Sequence, residues 1–254
     1  MTIALALSAQ GATFNKTNLK GSYSFLTNLW TANVNTSQIA MVGILQFDGA
    51  GSVAGLYTST NGGVVQTGTL GGSYTVNSNG TGAITFTTGS TAQFAITLES
   101  TAAKVAHSVQ LLQTNDSNNE IVSGTAVLQS TTPVTYSAAS VTGNFGFQWS
   151  LWTADANGQQ TSVIGMITFD GKGSSKGSQT TVFGGGGIQT GTFTGTYTVN
   201  SDGSGSIATA NGTQFACALN TVAAGQAKAA QCLVTELNGH SLGNYAMSGT
   251  VLKQ

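Results

Sequence analysis

An internal repeat constrains this 254-residue chain more than any other feature. The segment GTLGGSYTVNSNGTGAI at 68–84 returns as GTFTGTYTVNSDGSGSI at 191–207, and FDGAGS at 47–52 returns as FDGKGS at 169–174. Both pairs are separated by about 122 positions. A constant offset makes one copy the unit of folding. Residues that recur in both copies are therefore expected to be architectural.

The repeat predicts two domains, each large enough to bury a stable hydrophobic core without disulfides or bound metals. We place an N-terminal segment at 1–10, the first copy at 11–129 and the second copy at 141–254. Residues 130–140 form a short linker in which Pro133 disfavours helix. A linker of this length predicts that the two domains lie close together.

Within each copy, apolar residues alternate with polar ones, and turn residues recur at intervals of roughly 8–14 positions. This pattern predicts eight short strands per copy, joined by tight turns into a meander. Such a meander removes its exposed edges by closing into a barrel. The predicted fold class is all-β, with two tandem antiparallel eight-stranded up-and-down barrels, and a two-sheet sandwich is the alternative.

The alternation also predicts which side chains face the interior. An eight-stranded barrel is filled by its own side chains or holds one small ligand. The inward aromatic residues are numerous enough that we expect them to fill it. The predicted inner face comprises Tyr23, Phe25, Leu29, Tyr74, Val76, Phe94, Ile96 and Leu98 in the first copy, and Phe145, Phe147, Trp149, Leu151, Tyr197, Val199, Phe215, Cys217 and Leu219 in the second.

The chain carries little charge: 6% of its residues are charged, it contains no arginine, and its net charge is −1. Lysines that are few and scattered do not provide the basic surface that nucleic acids require, so we predict no nucleic-acid partner. No apolar run approaches the roughly 20 residues of a membrane-spanning helix, so we predict no membrane span. A surface built from Ser, Thr, Asn, Gln and Gly is typical of secreted or cell-surface bacterial β-proteins.

Two cysteines, Cys217 and Cys232, both lie in the second copy, where the first copy has Ile96 and Leu111. They are either two buried apolar thiols or one disulfide between neighbouring strands, and export would favour the disulfide. A metal site needs more ligands than this pair supplies.

The first ten residues have no counterpart in the second copy. Ile3, Leu5 and Leu7 alternate with small residues, as they would in a β-strand that pairs with an open sheet edge of another subunit. The short apolar stretch also resembles the end of a secretory signal, although it lacks a basic region. Both interpretations remain open.

The recurring acids Asp48 and Asp170 are followed by Gly in both copies. The Asp-Gly pair supplies the backbone angles of a tight hairpin turn, and a calcium loop would need several more oxygen ligands. His107 and His240 occupy different places in their copies. We therefore predict structural turns, no catalytic residues, no metal and no cofactor.

Trp30 and Trp152 occupy equivalent positions at the end of a strand in the two copies. They either cap a barrel mouth or form exposed aromatic surfaces for sugar stacking or subunit contact. Together with Ile3, Leu5 and Leu7, they are the candidate contact residues.

The runs GSYSF, VGILQFDGAGS and GSYTVNSNGTG resemble a repeat of uncharacterised exported bacterial proteins. The pattern is similar to calycin-like barrels, the group that includes lipocalins and allene oxide cyclases. These motifs are turns and core positions, and the lipocalin Gly-x-Trp signature is absent from the first strand. The resemblance therefore implies a fold and assigns no site residue.

Three functions follow as hypotheses. The first is a secreted structural or adhesive module, without enzymatic activity, which self-assembles through its N-terminal strand or binds another extracellular protein or a glycan. The second is a lipocalin-like carrier of a small hydrophobic ligand inside a barrel, and the weakest is a cyclase or isomerase that shapes its substrate. We expect the clues to function where the copies disagree, namely in residues 1–10, the Cys217/Cys232 pair and the outer strand faces.

Overall fold

The structure is a computed structural model that describes residues 13–31, 38–99, 104–115, 120–153, 160–223, 225–243 and 245–254. Sixteen β-strands and two short 3-10 turns make up the regular structure of these residues. None of their helical turns is long and apolar enough to cross a membrane.

The first eight strands form one closed antiparallel barrel, which we call barrel 1. Each strand pairs with the next, and β8 pairs with β1 to close the cylinder, with Phe25 opposite Ala126. The strands are β1 (Lys20–Thr31), β2 (Ile39–Asp48), β3 (Ser52–Asn61), β4 (Val64–Val76), β5 (Thr81–Thr88), β6 (Gln93–Glu99), β7 (Ser108–Gln113) and β8 (Glu120–Ser130).

The last eight strands form a second closed antiparallel barrel, barrel 2, in which β16 pairs with β9. The predicted fold class is confirmed, and the alternative of a two-sheet sandwich is wrong. The strands are β9 (Thr142–Thr153), β10 (Thr161–Asp170), β11 (Ser174–Phe183), β12 (Ile188–Val199), β13 (Ser204–Thr209), β14 (Gln214–Ala223), β15 (Gln226–Glu236) and β16 (Tyr245–Lys253).

The repeated Asp-Gly segments form tight turns, as predicted. The Oδ1 atom of Asp48 accepts hydrogen bonds from the backbone N–H groups of Ala50, Gly51 and Ser52 at 2.7, 2.8 and 2.9 Å. These backbone donors, with Ala50 first, lower the pKa of Asp48 to about 2 because they stabilise the carboxylate. Asp170 accepts from the N–H of Lys172 and Ser174 in the same way. This acid is therefore a structural part of each hairpin.

One end of each barrel is closed by a short 3-10 turn that precedes the first strand. In barrel 1 the turn is Lys16–Asn18. The Tyr74 hydroxyl donates to the carbonyl oxygen of Leu19 at 2.8 Å, and the Tyr23 hydroxyl donates to that of Ala106 at 2.7 Å. Burial raises the pKa of both phenols, that of Tyr74 to about 12. The closed end is thus buried and held by hydrogen bonds.

Barrel 2 repeats this arrangement, and it does so with residues that the sequence analysis assigned to the linker. Its 3-10 turn is Ala138–Ser140, and the Tyr197 hydroxyl donates to the carbonyl oxygen of Val141 at 3.0 Å. Tyr136 is buried in the core of this barrel. The second half of the segment 130–140 therefore contributes to the closed end of barrel 2.

The outer faces of the two barrels pack against each other around a third hydrophobic cluster. Its buried members are Leu26, Ala40, Val42 and Ile44 from barrel 1 and Ala218, Leu233 and Ala246 from barrel 2. Hydrogen bonds flank the cluster: the Gln129 Nε2 donates to the carbonyl oxygen of Leu219 at 2.5 Å, and the Gln231 Nε2 donates to the Thr125 Oγ1 at 3.0 Å. Apolar packing and directional bonds together fix the barrels side by side.

Candidate functional site

The end of barrel 1 opposite the 3-10 turn holds a cavity of about 380 Å³. We call this end the mouth. It lies where β1, β3, β5 and β7 end and β2, β4, β6 and β8 begin. The cavity is lined by Phe25, Thr27, Leu29, Ile39, Met41, Leu45, Leu70, Ile84, Phe86, Ser90, Thr91, Ala92, Phe94, Leu111, Gln113, Asn115 and Val122.

The lining changes from apolar at depth to polar at the rim. Leu45, Ile84 and Leu111 are buried members of the barrel core. At the rim, the Asn115 side chain accepts a hydrogen bond from the N–H of Gln93 at 2.9 Å and donates one to the carbonyl oxygen of Thr91 at 2.8 Å. These bonds fix the turn between β5 and β6 against the end of β7. The cavity of barrel 1 is therefore preformed, with an apolar interior and a polar rim that is held by hydrogen bonds.

Barrel 2 has a cavity of about 280 Å³ at its own mouth. Side chains from β9 to β14, from β16 and from the connection that follows β15 surround it. Its lining consists of Phe147, Trp149, Leu151, Thr161, Val163, Ile167, Gln179, Thr181, Phe183, Gln189, Phe193, Ile207, Thr209, Asn211, Thr213, Phe215, Leu237, Asn238 and Met247.

Aromatic side chains were expected to fill the two interiors, and this expectation is wrong for the mouth half of each barrel. In barrel 1 the ring of Phe47 contacts Tyr23 and Tyr74 edge to face, with ring centroids 5.4 and 5.1 Å apart. These rings therefore crowd into the closed end. Toward the mouth, the smaller side chains of Thr27 and Leu29 line the wall, and the volume between them remains open.

Neither lining contains an acid, a lysine, a histidine or a tyrosine among the residues named above. The groups with shifted pKa values lie in the turns and at the closed ends, as in Asp48 and Tyr74. Across the described parts of the chain, no group of three or more His, Cys, Asp or Glu side chains is arranged to hold a metal ion. The cavities can therefore bind by shape, apolar contact and neutral hydrogen bonds.

The candidate contact residues lie largely outside the described part of the chain. Ile3, Leu5 and Leu7 belong to the segment 1–12, which the structure does not describe. The backbones of Trp30 and Trp152 lie in β1 and β9, opposite Ile121 and Ala246. Their side chains are outside the description, so their predicted role at the mouth or in a contact stays a prediction.

Cys217 and Cys232 are joined by a disulfide in the structure. They lie directly opposite each other on β14 and β15, and both belong to the interior core of barrel 2. The corresponding residues of barrel 1, Ile96 and Leu111, also lie opposite each other on β6 and β7. The disulfide thus replaces an apolar cross-strand pair.

The sequence analysis placed some of the cavity residues on the inner face, but it expected the interiors to be filled and looked for functional differences between the copies on the outer strand faces. The residues of these linings that it predicted to face inward are Phe25, Leu29 and Phe94 in barrel 1 and Phe147, Trp149, Leu151 and Phe215 in barrel 2. The informative differences lie on the inner faces. At the offset of the repeat, Thr27 of β1 corresponds to Trp149 of β9, and Tyr57 of β3 corresponds to Gln179 of β11. The side chains at these inward positions differ in size and polarity between the copies. This contrast predicts that the two barrel interiors differ.

The two mouths lie on the same side of the molecule. The Ser241 hydroxyl, in the connection between β15 and β16, donates to the carbonyl oxygen of Gly63 at 2.8 Å. Gly63 belongs to the hairpin between β3 and β4. Both segments are rim elements of their own barrels, so the barrels run side by side with their mouths adjacent.

No family model and no curated protein matches the chain. In structure it is similar to a DUF3598-family protein of unknown function from Nostoc punctiforme, at 15% identity and a TM-score of 0.28, over 93% of this chain and 97% of that one. It is also similar to kievitone hydratase from Nectria haematococca, at 8% identity and a TM-score of 0.27, over 93% of this chain and 91% of that one. An AttH-like protein from Nitrosomonas europaea matches at 9% identity and a TM-score of 0.28, over 92% of each chain. At such TM-scores, no property of these proteins is transferred to this chain.

Proposed function

We propose that the protein binds a small, neutral, apolar molecule in the lumen of barrel 1. The observation that carries this proposal is the cavity of about 380 Å³, which is closed below by the barrel core and lined mainly by apolar side chains. Its volume falls within the range of roughly 300–1,000 Å³ that is usual for small-molecule sites. The proposal is the carrier hypothesis of the sequence analysis.

The lining determines the chemistry of the ligand. Its polar members are Ser, Thr, Gln and Asn side chains, and none of its members is charged. Burying an unpaired charge in such a site is costly, so the ligand is neutral. Each Å² of apolar ligand surface removed from water contributes about 25 cal/mol to binding. The amide of Gln113 lies near the mouth, where it suits a hydroxyl or carbonyl group at one end of the ligand.

The experiment uses decahydro-2-naphthol, a saturated neutral alcohol, titrated into the protein by isothermal calorimetry. We expect a dissociation constant on the order of 10 μM, as befits an apolar ligand of this size. Val122 lines the cavity, so the substitution Val122→Trp places an indole where the ligand lies. It should weaken binding at least about tenfold.

The matched control is Ile121→Trp, because Ile121 is the neighbouring residue and its side chain is exposed. Strand neighbours point to opposite faces, so this indole lies on the outside of the barrel. The control should bind like the parent protein. Equal weakening by both substitutions, or no binding by the parent protein, would contradict the proposal.

The second proposal is the structural one, a secreted or cell-surface module that self-associates or binds an extracellular protein or glycan. An exposed apolar pair on barrel 2 supports it. Val182 and Ile188 lie opposite each other on β11 and β12, and 46% and 69% of their surfaces are exposed. Contiguous exposed apolar surface marks sites of protein contact, so this pair is where we place the contact.

Sedimentation velocity on the full chain and on a chain that lacks residues 1–10 tests this second proposal. If the N-terminal segment acts as an assembly strand, the full chain forms dimers or larger species and the shortened chain remains monomeric. A single monomeric species for both chains at concentrations of about 100 μM would exclude assembly through this segment.

A further inference from the structure

The lumen of barrel 2 differs from that of barrel 1 in the kind of surface that it offers. The rings of Phe147 and Trp149 stack with centroids 5.4 Å apart and planes 26° apart. The ring of Trp149 also lies 5.0 Å from that of Phe215 at 36°, and Phe193 packs against Phe147 at 6.0 Å. All four rings line the cavity. Aromatic faces therefore form much of its wall.

Polar side chains lie next to these rings. Thr161, Gln179 and Thr181 line the same cavity, and Thr181 is 8% exposed. A hydroxyl and a primary amide can each donate and accept hydrogen bonds. These side chains are therefore suited to polar groups on the edge of a ligand.

The rim of the same cavity is already organised by hydrogen bonds. The Asn211 Nδ2 donates to the Asn238 Oδ1 at 3.1 Å, and the Thr213 hydroxyl donates to the same oxygen at 3.3 Å. The N–H of Asn238 in turn donates to the Thr213 Oγ1 at 3.2 Å. This network fixes the turn between β13 and β14 against the connection that follows β15. The mouth is thus preformed.

A single exchange between the copies explains why barrel 2 has room beside its rings. In barrel 1, Tyr57 lies opposite Gly68, and a Cβ atom added at Gly68 would lie 2.8 Å from the Tyr57 ring. In barrel 2 the corresponding pair is Gln179 opposite Gly191, and a Cβ atom added at Gly191 would have nothing within 4 Å. The tyrosine fills this region in barrel 1, and the shorter, flexible amide leaves it open in barrel 2.

We propose that barrel 2 is a second binding site, and that its ligand is a neutral, planar, aromatic molecule with hydrogen-bonding groups on its edge. A planar ring packs against the aromatic side chains of this wall, and such contacts are worth about 0.5–1.5 kcal/mol beyond the area that they bury. The Gln179 amide and the Thr181 hydroxyl pair with acceptors and donors on the ring edge. The ligand is neutral because no charged residue lines the site.

This inference goes beyond the proposed function, since it assigns a different ligand class to a different barrel. The test compares 2-naphthol with decahydro-2-naphthol, which have the same carbon skeleton and hydroxyl but differ in planarity and aromaticity. Both are titrated into the full chain by isothermal calorimetry at pH 7. We expect 2-naphthol to bind barrel 2 and the saturated alcohol to bind barrel 1.

Two substitutions in barrel 2 locate the aromatic ligand. Gln179→Tyr introduces the residue that fills barrel 1 at this position, and Trp149→Leu removes the stacking surface. Each should weaken 2-naphthol binding at least about tenfold and leave decahydro-2-naphthol binding within about twofold. Gln179 is only partly buried, so Gln179→Tyr keeps the test valid even if the core substitution Trp149→Leu impairs folding.

The variant Val122→Trp of barrel 1 separates the two proposals. If it leaves 2-naphthol binding unchanged while both barrel 2 variants lose it, the second site is supported, whatever happens to the saturated alcohol. If Val122→Trp abolishes 2-naphthol binding and Gln179→Tyr does not change it, the aromatic ligand lies in barrel 1 and the inference is overturned. Absence of 2-naphthol binding to the parent protein overturns it as well.

Discussion

Replacing Phe47 with alanine lowers the free energy of unfolding by about 3–5 kcal/mol. Phe47 is 3% exposed, and its ring lies edge to face between Tyr23 and Tyr74 at the closed end of barrel 1. The substitution removes both aromatic contacts and leaves a void that the hydrogen-bonded tyrosines cannot relax to fill. Urea unfolding followed by tyrosine fluorescence and circular dichroism measures the loss.

A matched pair of variants places this effect at the closed ends. Phe169→Ala in barrel 2 should cost a similar amount, because the Phe169 ring lies 5.4 Å from Phe145 and 4.9 Å from Tyr197 in the same arrangement. Phe183→Ala changes a partly exposed ring at the mouth of barrel 2 and should cost about 1 kcal/mol. Equal losses at Phe47 and Phe183 would show that the closed end is not the rigid part of the barrel.

The second large effect is expected at the contact between the barrels. Leu233 is fully buried on β15 and packs with Leu26, Val42 and Ile44 of barrel 1. Leu233→Ala removes three carbons from this cluster and leaves a cavity between two separately closed barrels. The free energy of unfolding should fall by about 2–5 kcal/mol, and the two barrels should unfold in separate steps because less surface couples them.

The control for this prediction is Leu252→Ala. Leu252 lies on β16 of the same barrel, but 57% of its surface is exposed. Its loss should change the free energy of unfolding by no more than about 0.5 kcal/mol. Denaturant unfolding monitored at several wavelengths distinguishes one transition from two. A single, unshifted transition for Leu233→Ala would mean that the inter-barrel cluster does not stabilise the fold.

The barrel architecture could be predicted because local sequence patterns indicate the strands and the turns that build it. Period-two alternation identifies Tyr23, Phe25, Phe145 and Phe147 as inward, and all four are buried in the two barrel cores. Asp-Gly turns set the strand connections. These signals depend on each residue and its near neighbours in the chain, so one sequence is sufficient to read them.

The cavities could not be predicted in the same way, because an unfilled volume depends on the sum of side chains from all eight strands. Whether Thr27 leaves a gap depends on what lies across the lumen from it. The same holds for the exchange of Tyr57 for Gln179, whose effect becomes visible only when Gly191 is seen with open space beside it. Pattern identifies the inner face, whereas packing across the barrel decides whether that face is filled.

A sequence pattern in β2 indicates the contact between the barrels, but the sequence analysis did not use it. In β2, the run from Ala40 to Leu45 is apolar at nearly every position. A strand with one solvated face shows alternation, and a continuous apolar run indicates burial on both faces. Val42 and Ile44 lie on the outer face and contact barrel 2, so this strand is shared between two cores.

The hydrogen bond between Ser241 and Gly63 places the two mouths next to each other, and this has a consequence for selectivity. If both proposed sites bind their ligands, a molecule that joins a saturated group and an aromatic group by one linker can occupy both lumens at once. After the first group binds, the second is present at an effective concentration in the millimolar range when the linker matches the span. The protein would then select the spacing between two chemical groups as well as the groups themselves.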